Sequence, residues 1–314
     1  MDLLKKGKFW WVASFGALIG IAIAAFILPG GDDLYRYYQP FSQGCLDCGY
    51  VPYFAQWFLW PLLLLNYPLA WPLWTLLCLT GFFVLFRYTK VNPLFFLISF
   101  PMLGQIWLGQ IDILVCIGLV MLLFSRNPFL RGLGITLALV KPQLTSLSIL
   151  FMLIFEQRGD LWKVFAVPIL TMIASLFVYG FSWPYAWLQN AFFGLPTHVW
   201  RLASAMSWQY GVVLLPLPFL FKDRRKRLQV SLLVSSIATP FFGVYSYILF
   251  LIFDTKWWAV VLSFVWIAAY PLFQANAMQF AWILPLSLLF SITLKELQER
   301  RHLPKKKEKE GSYA

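Results

Sequence analysis

The chain has 314 residues, of which 61% are hydrophobic and 12% charged, and its formal net charge is +12. A charged fraction about half of that usual in soluble proteins excludes a soluble nucleotide-binding or barrel enzyme and predicts an all-α polytopic membrane protein. The same composition excludes a disordered chain. Four cysteines among 314 residues exclude a disulfide-dense secreted module.

The positive charge is placed between apolar runs rather than on one continuous surface. This alternation is typical of the cytoplasmic loops of a multi-pass protein, which also contact anionic lipid. It does not indicate a nucleic-acid-binding surface. The basic clusters fall at 5–8, 87–90, 126–131, 158–163, 222–227 and 295–309.

In chain order, the apolar runs predict about twelve crossings with both termini in the cytoplasm. The run 9–29 follows a basic N-terminus and is too long for the apolar part of a signal peptide, so we expect a first anchored helix. Residues 30–50 then lie outside, and the proline-interrupted aromatic stretch 51–68 predicts an interfacial or re-entrant piece. The remaining crossings are predicted at 69–86, 92–104, 110–125, 132–140, 143–155, 161–181, 208–221, 228–239, 241–253, 257–272 and 280–294.

The apolar run 132–155 is interrupted by Lys141-Pro142. A single span there would put the basic cluster 222–227 outside, so two short limbs are predicted, with Lys141 toward the outer face. Limbs of 9 to 14 residues fall short of the roughly 20 that cross a bilayer, and must be buried or line a cavity. We therefore expect an outer-face cavity within a single domain, 1–294, followed by a basic, disordered cytoplasmic tail, 295–314.

Four polar constellations interrupt the apolar sequence on the predicted outer side. A carboxylate there can act as a general base toward a sugar hydroxyl, and a lysine can bind a phosphate. Each constellation is also explained without function, as a polar loop, a capped turn, a snorkelling lysine or a helix kink. In chain order they contain Asp32, Asp33, Arg36, Tyr37 and Tyr38; Gln105, Gln110 and Asp112; Lys141; and Thr239-Pro240 with Tyr245 and Tyr247.

The predicted outer loop 182–207 contains two further candidates. Arg201 can pair with a phosphate, whereas a residue such as His198 is more often an ordinary loop histidine. Cys45 and Cys48 suit a local disulfide, and no zinc site is indicated because the chain has two histidines, one of them in the tail. No glycine-rich nucleotide loop and no Ser/His/Asp signature occur, and we expect neither a metal nor a cofactor.

The order of these motifs resembles that of glycosyltransferase family 87, a membrane family of GT-C type whose donors are polyprenyl-phosphate sugars. The resemblance covers roughly residues 10–255. It departs from the family pattern in the length of the chain and in a tyrosine where a histidine is common in the last motif. The segments that match are Asp33 to Tyr37-Tyr38, Tyr50 to Pro61, Gly109-Gln110, Gly132 to Lys141-Pro142, and Thr239-Pro240 with Tyr245 and Tyr247.

The resemblance implies a GT-C-like bundle that moves a mannosyl-like hexosyl unit or a pentosyl unit, with inversion, to a lipid or glycan acceptor outside the plasma membrane. Asp33 is then the general base, with Asp32 as the second choice. Lys141 and either Arg36 or Arg201 hold the lipid phosphate. A lipid-linked sugar flippase and a non-catalytic membrane assembly protein remain the alternatives. The other residues expected to bind substrate are Tyr37, Tyr38, Gln105, Gln110, Asp112, His198 and Tyr245.

Overall fold

The computed structural model describes residues 2–156, 158–193, 209–239 and 242–302. Within these ranges the protein is 81% helical and has no strands, as the composition predicts. The longer helices are α1 (Asp2–Ile27), α2 (Ala70–Thr89), α3 (Pro93–Leu97), α4 (Phe100–Leu108), α5 (Asp112–Phe124), α6 (Pro128–Ala138), α7 (Pro142–Ile154), α8 (Arg158–Tyr179), α9 (Trp183–Phe193), α10 (Arg224–Ala238), α11 (Trp257–Ser263), α12 (Val265–Phe273) and α13 (Ile283–His302).

Short helical turns connect these helices. They are a π-helical turn at Leu34–Tyr38, single α-turns at Gln39–Ser42 and Ile248–Leu251, and 3₁₀ turns at Leu46–Cys48, Tyr53–Phe58, Trp60–Leu64, Val212–Leu214, Leu217–Leu220, Val244–Tyr247 and Gln274–Trp282. The proline-rich stretch predicted to be interfacial thus forms two 3₁₀ turns instead of a span. Proline lacks the N–H group that a continuous α-helix needs.

Four helices in the described ranges are long and apolar enough to cross a membrane: Trp10–Ile27, Ala70–Thr89, Gly159–Tyr179 and Asn276–Arg301. Shorter apolar helices of 10–17 residues accompany them, including Asp112–Phe124. The molecule is therefore a helical membrane protein. The count of about twelve crossings stays a prediction.

The two limbs predicted around Lys141 are separate helices. Asn127 caps α6 by accepting a hydrogen bond from the N–H of Phe129 at 2.9 Å, and Pro128 occupies the first helical position. α6 ends at Ala138, and α7 begins anew at Pro142. Lys141 therefore lies in a break between two helices rather than within a continuous span.

Glycines allow α5, α6 and α8 to approach closely. A Cβ on Gly118 of α5 would lie 2.5 Å from the carbonyl oxygen of Gly134 of α6, and a Cβ on Gly134 would lie 2.6 Å from that of Gly118. On the other side of α6, a side chain at Gly132 would overlap the backbone of Val164 in α8. Backbone contact of this kind is common between membrane helices, where small residues form the interface.

Ion pairs hold the bundle at the N-terminal end of α6. Arg131 contacts Glu156 at 3.3 Å and Asp160 at 2.9 Å, and Arg224 of α10 contacts the same Glu156 at 3.2 Å. Because α6 has 11 residues at about 1.5 Å each, Lys141 lies roughly 16 Å further along the bundle. The two ends of α6 therefore carry different polar clusters.

α13 continues beyond the predicted domain boundary. The boundary at 294/295 falls within this helix, which runs to His302. Lys226 of α10 contacts Glu296 and Glu299, each at 2.9 Å. These ion pairs attach the first part of the predicted tail to the bundle.

Candidate active site

Two adjacent glycines, Gly30 and Gly31, fix the path of the chain after α1, because both lie against the side chain of Trp71. Gly31 is left-handed (φ +81°), and its N–H donates to the carbonyl of Trp107 at 2.8 Å. A Cβ on Gly31 would lie 2.7 Å from the side chain of Trp71, so glycine is needed both for the conformation and for the contact. The indole of Trp71 donates to the carbonyl of Ile106 at 2.8 Å. The segment after α1 is thus held against α2 and α4.

Asp33 lies at the start of the π-helical turn Leu34–Tyr38. A π-turn bonds residue i to residue i+5, which places Asp33 and Tyr38 on one side of the segment. Both side chains bind Gln110: Asp33 accepts a hydrogen bond from its amide nitrogen, and the Tyr38 hydroxyl donates to its amide oxygen at 2.8 Å. Asp33 is partly exposed, whereas Tyr38 is buried.

Gln110 is held in place through its own backbone. The preceding Gly109 ends α4 in a left-handed conformation (φ +70°). The carbonyl of Gln110 accepts hydrogen bonds from the side-chain amide of Gln105 at 2.8 Å and from the indole of Trp74 at 3.1 Å. The turn between α4 and α5 therefore presents the Gln110 side chain in a fixed direction.

Lys141 is buried in the break between α6 and α7 and meets the same amide. Its ammonium donates to the amide oxygen of Gln110 at 2.5 Å and forms an ion pair with Asp112. The rings of Tyr38 and Tyr245 lie 5.6 Å and 5.5 Å from the ammonium, within cation–π range. The Ser246 hydroxyl donates to the other oxygen of Asp112 at 2.5 Å. Four segments of the chain thus converge on one cation.

The cluster formed by Asp33, Gln110, Lys141 and Asp112 combines a partly exposed carboxylate with a buried ion pair, since the side chains of Lys141 and Asp112 are 5% and 0% exposed. Burial raises the pKa of the Asp33 carboxyl above its ordinary value, while Lys141 and the Gln110 hydrogen bond oppose this increase. A raised carboxyl pKa is a property of general bases that work near neutral pH.

Asp32, Arg36 and Tyr37 lie outside this cluster. Asp32 and Arg36 form an ion pair with each other at 2.8 Å, and their side chains are 55% and 67% exposed. The ring of Tyr37 packs against Tyr50 with the centroids 5.3 Å apart. Of the two adjacent carboxylates, the structure therefore brings Asp33 to Gln110 and Lys141 and leaves Asp32 at the surface.

Gln105 contacts the backbone of Gln110, as described above, so its place is behind the cluster. His198 and Arg201 lie outside the residues that the structure describes, as does Pro240. Cys45 and Cys48 form a disulfide. In the described parts of the chain, no group of three His, Cys, Asp or Glu side chains is arranged to hold a metal ion.

Ser246, Trp71 and Trp74 were missed by the sequence reasoning. Ser246 adjoins a predicted candidate, Tyr245, in the turn Val244–Tyr247, but a single serine there carries no signal of its own. Trp71 and Trp74 are three residues apart at the start of α2, a spacing that puts both indoles on one helix face. Two indole donors on one helix face were a usable signal, because indole N–H groups need hydrogen-bond partners if they become buried.

An apolar groove of about 520 Å³ lies between α1 and α4. Trp71 lines the groove and also contacts Gly31, two residues before Asp33. Its lining residues are Ile21, Ala24, Ala25, Leu28, Trp71, Phe100, Leu103, Gly104, Ile106, Trp107 and Leu108.

Fold and cluster together define a helical membrane protein with a polar site enclosed by its bundle. The family model for glycosyltransferase family 87 matches residues 50–293. This match spans more than half of the chain, and the protein belongs to glycosyltransferase family 87. No curated protein and no solved structure matches the chain significantly.

The matched region includes most of the cluster but not all of it. Gln110, Asp112, Lys141 and Tyr245 lie within residues 50–293, and Asp33 lies before them. Family membership makes the protein a membrane glycosyltransferase. The role of Asp33 depends on the geometry, because the matched region begins after it.

Proposed function

We propose that this protein transfers a mannosyl-like hexosyl unit or a pentosyl unit from a polyprenyl-phosphate sugar to a lipid or glycan acceptor. The observation that carries this proposal is the partly exposed carboxylate of Asp33, held by Gln110 next to the buried pair of Lys141 and Asp112. Transfer of a sugar from a phosphate needs a base for the acceptor hydroxyl and positive charge near the leaving group.

In the proposed reaction, Asp33 takes the proton from the acceptor hydroxyl while the hydroxyl oxygen attacks the anomeric carbon. The bond from that carbon to the phosphate oxygen breaks, and the electron pair leaves with the phosphate. One base and one direct displacement invert the anomeric centre. Negative charge passes from Asp33 to the phosphate, so the total charge of the site is unchanged during the step.

Positive charge near the leaving phosphate comes from three proposed sources. Lys141 acts from its buried position beside Gln110 as the positive end of its ion pair with Asp112. Arg36 follows Asp33 in the same turn and is 67% exposed. It breaks its ion pair with Asp32 and binds the phosphate instead. Arg201, from the predicted outer loop, is the third cation, and His198 from the same loop binds the sugar with Tyr37.

The apolar groove between α1 and α4 supports a lipid-linked donor. Its lining has almost no polar surface, which suits a prenyl chain and not a nucleotide. Because Trp71 borders both the groove and Gly31, a chain lying in the groove has its phosphate end near the π-helical turn of Asp33. The proposed donor therefore reaches the site from the lipid side.

The disulfide supports a site on the extracytoplasmic side. Cys45 and Cys48 follow the Asp33 segment closely in the chain, and disulfides persist in oxidising compartments. The basic residues Arg131 and Arg224 are at the N-terminal end of α6, opposite Lys141, and such residues are enriched in cytoplasmic loops. We propose that the protein lies in the plasma membrane with both termini in the cytoplasm and the catalytic cluster on the extracytoplasmic side.

The test is a transfer assay with purified protein in detergent and a panel of radiolabelled polyprenyl-phosphate sugars, with membrane lipids and glycans as acceptors. Asp33→Asn keeps the size of the side chain and an oxygen that accepts from Gln110, but removes the base. We expect its turnover to fall by at least 10²-fold with no loss of folded protein. Asp47→Asn is the matched control, because Asp47 is an exposed carboxylate of the same region, hydrogen-bonded to Tyr53 at 2.7 Å.

Transfer by the wild type and by Asp47→Asn, but not by Asp33→Asn, supports the proposal and identifies the donor. Full activity of Asp33→Asn contradicts the role of Asp33. Binding of a labelled donor without transfer by the wild type supports a flippase or a binding protein instead.

A further inference from the structure

We infer that Gln110 is a positioning residue that couples Asp33 to the ion pair of Lys141 and Asp112. This inference rests on the function proposed above, in which Asp33 is the base. The Gln110 side chain contacts Asp33 and Tyr38 from the segment after α1 and Lys141 from the break between α6 and α7. Nothing in the family match assigns a role to this residue.

The chemistry of its neighbours determines the orientation of the Gln110 amide. The ammonium of Lys141 can only donate hydrogen bonds, so the amide oxygen must face it. An ionised Asp33 carboxylate can only accept them, so the amide nitrogen must face Asp33. Rotating the amide by half a turn would place two donors together and two acceptors together. The amide is therefore held in one orientation by a cation at one end and an anion at the other.

The position of Gln110 is also fixed from behind. Gln110 as a whole is 2% exposed, and its backbone carbonyl accepts hydrogen bonds from Gln105 and Trp74. The left-handed Gly109 before it sets the direction of the turn. A side chain restrained in this way supplies a preformed contact rather than one that adjusts when substrate binds.

This contact orients the base in two respects. The amide nitrogen binds Oδ2 of Asp33, which directs Oδ1 to the acceptor hydroxyl. Lys141 polarises the amide by binding its oxygen, and hydrogen bonds in such a chain strengthen one another. Gln110 thus transmits the charge of a buried cation to a carboxylate that the cation does not touch.

The same contact affects the protonation of Asp33. The charged and polar groups that act on Asp33 are Lys141, Gln110 and Arg36, which favour the ionised form, and Asp32, which with burial opposes it. Loss of the amide donor removes one of the groups that favour ionisation. The pKa of Asp33 is then expected to rise, so a higher pH is needed to ionise Asp33 and make it an active base.

The experiment compares Gln110→Glu and Gln110→Leu with the wild type. Gln110→Glu keeps the shape and the contact with Lys141 but replaces the amide donor by a carboxylate facing Asp33. Gln110→Leu removes both contacts. Gln39→Leu is the control for loss of a buried glutamine, because Gln39 lies in the same segment, is 9% exposed and donates to the carbonyl of Leu65 at 2.6 Å.

We expect both Gln110 variants to lower kcat by about 10²-fold, the effect of misplacing a reacting group by about 1 Å. The KM for the donor should change little, and the acid limb of the rate profile should move to higher pH. Gln39→Leu should lose thermal stability without moving that limb. The inference is overturned if the Gln110 variants keep the wild-type acid limb, or if their loss of rate follows their loss of folded protein.

A second measurement does not depend on turnover. A hydrophobic carbodiimide labels protonated carboxyl groups, and mass spectrometry reports the labelled fraction of Asp33 at each pH. In both Gln110 variants, labelling should persist to higher pH than in the wild type. If the wild type transfers no sugar but labelling shifts in this way, the proposed function fails and the coupling stands. If transfer occurs and labelling is unchanged, the coupling fails and the proposed function stands.

Discussion

Replacing Lys141 by methionine removes the positive partner of Asp112, a carboxylate that is fully buried. Asp112 then keeps the hydrogen bond from Ser246 but has lost its counter-ion. Leaving one member of a buried ion pair without its partner costs about 3–5 kcal/mol. Asp112→Asn leaves Lys141 with the Gln110 oxygen and two tyrosine rings, so its cost should fall at the lower end of that range.

The double variant Lys141→Met/Asp112→Asn removes both charges. Replacing a buried pair by neutral groups of similar volume is often close to neutral, so we expect the double variant to recover about 2–3 kcal/mol relative to Lys141→Met alone. Sugar transfer should be lost in all three variants, because the cation is absent or misplaced. The double variant should therefore regain stability without regaining sugar transfer.

The assay is equilibrium unfolding in mixed micelles, titrated with a denaturing detergent and followed by tryptophan fluorescence, beside the transfer assay. Single variants within about 0.5 kcal/mol of the wild type, the size of ordinary surface substitutions, would contradict the buried ion pair. A double variant as unstable as the sum of the two single ones would show that the side chains contribute independently.

Two more predictions concern protonation and packing. A base works only when ionised, and burial raises the pKa of Asp33, so turnover should fall as the pH is lowered through that raised value; a rate that is flat down to the ordinary carboxyl range would contradict this. Gly118→Ala places a methyl group 2.5 Å from the carbonyl oxygen of Gly134 and should destabilise the protein by about 1–3 kcal/mol. Its control, Gly16→Ala, has open space around the new methyl group, and thermal midpoints compare the two.

The sequence predicted the helical membrane architecture and the break at Lys141. The helical membrane architecture follows from the composition. The break at Lys141 follows from the placement of basic residues, because a single span across 132–155 would put the later basic cluster 222–227 outside the cell. Both are average properties of long segments. They are not sensitive to the conformation of any one side chain.

The contacts within the cluster could not be predicted in this way. Motif order favours Asp33 over Asp32 only by resemblance, and the π-helical turn decides which of them faces Gln110. Gln110 and Asp112 are both predicted to bind substrate, and in the structure the Asp112 carboxylate is fully buried and contacts Lys141 and Ser246. Such outcomes depend on tertiary packing between segments that are 29 to 134 residues apart, and motif order does not specify that packing.

The buried Asp112 also has a consequence for how the chain is inserted into the membrane. Asp112 is synthesised 29 positions before Lys141, which at 5–20 residues per second is a delay of roughly 1–6 s. An unpaired aspartate at the centre of a membrane helix costs about 2.5–3.5 kcal/mol, and Asp112, at the first residue of α5, should cost less than this but still favour pairing. α5 is therefore expected to remain in the translocon until α6 and Lys141 have been synthesised, so that the two helices enter the lipid as one unit whose charges cancel.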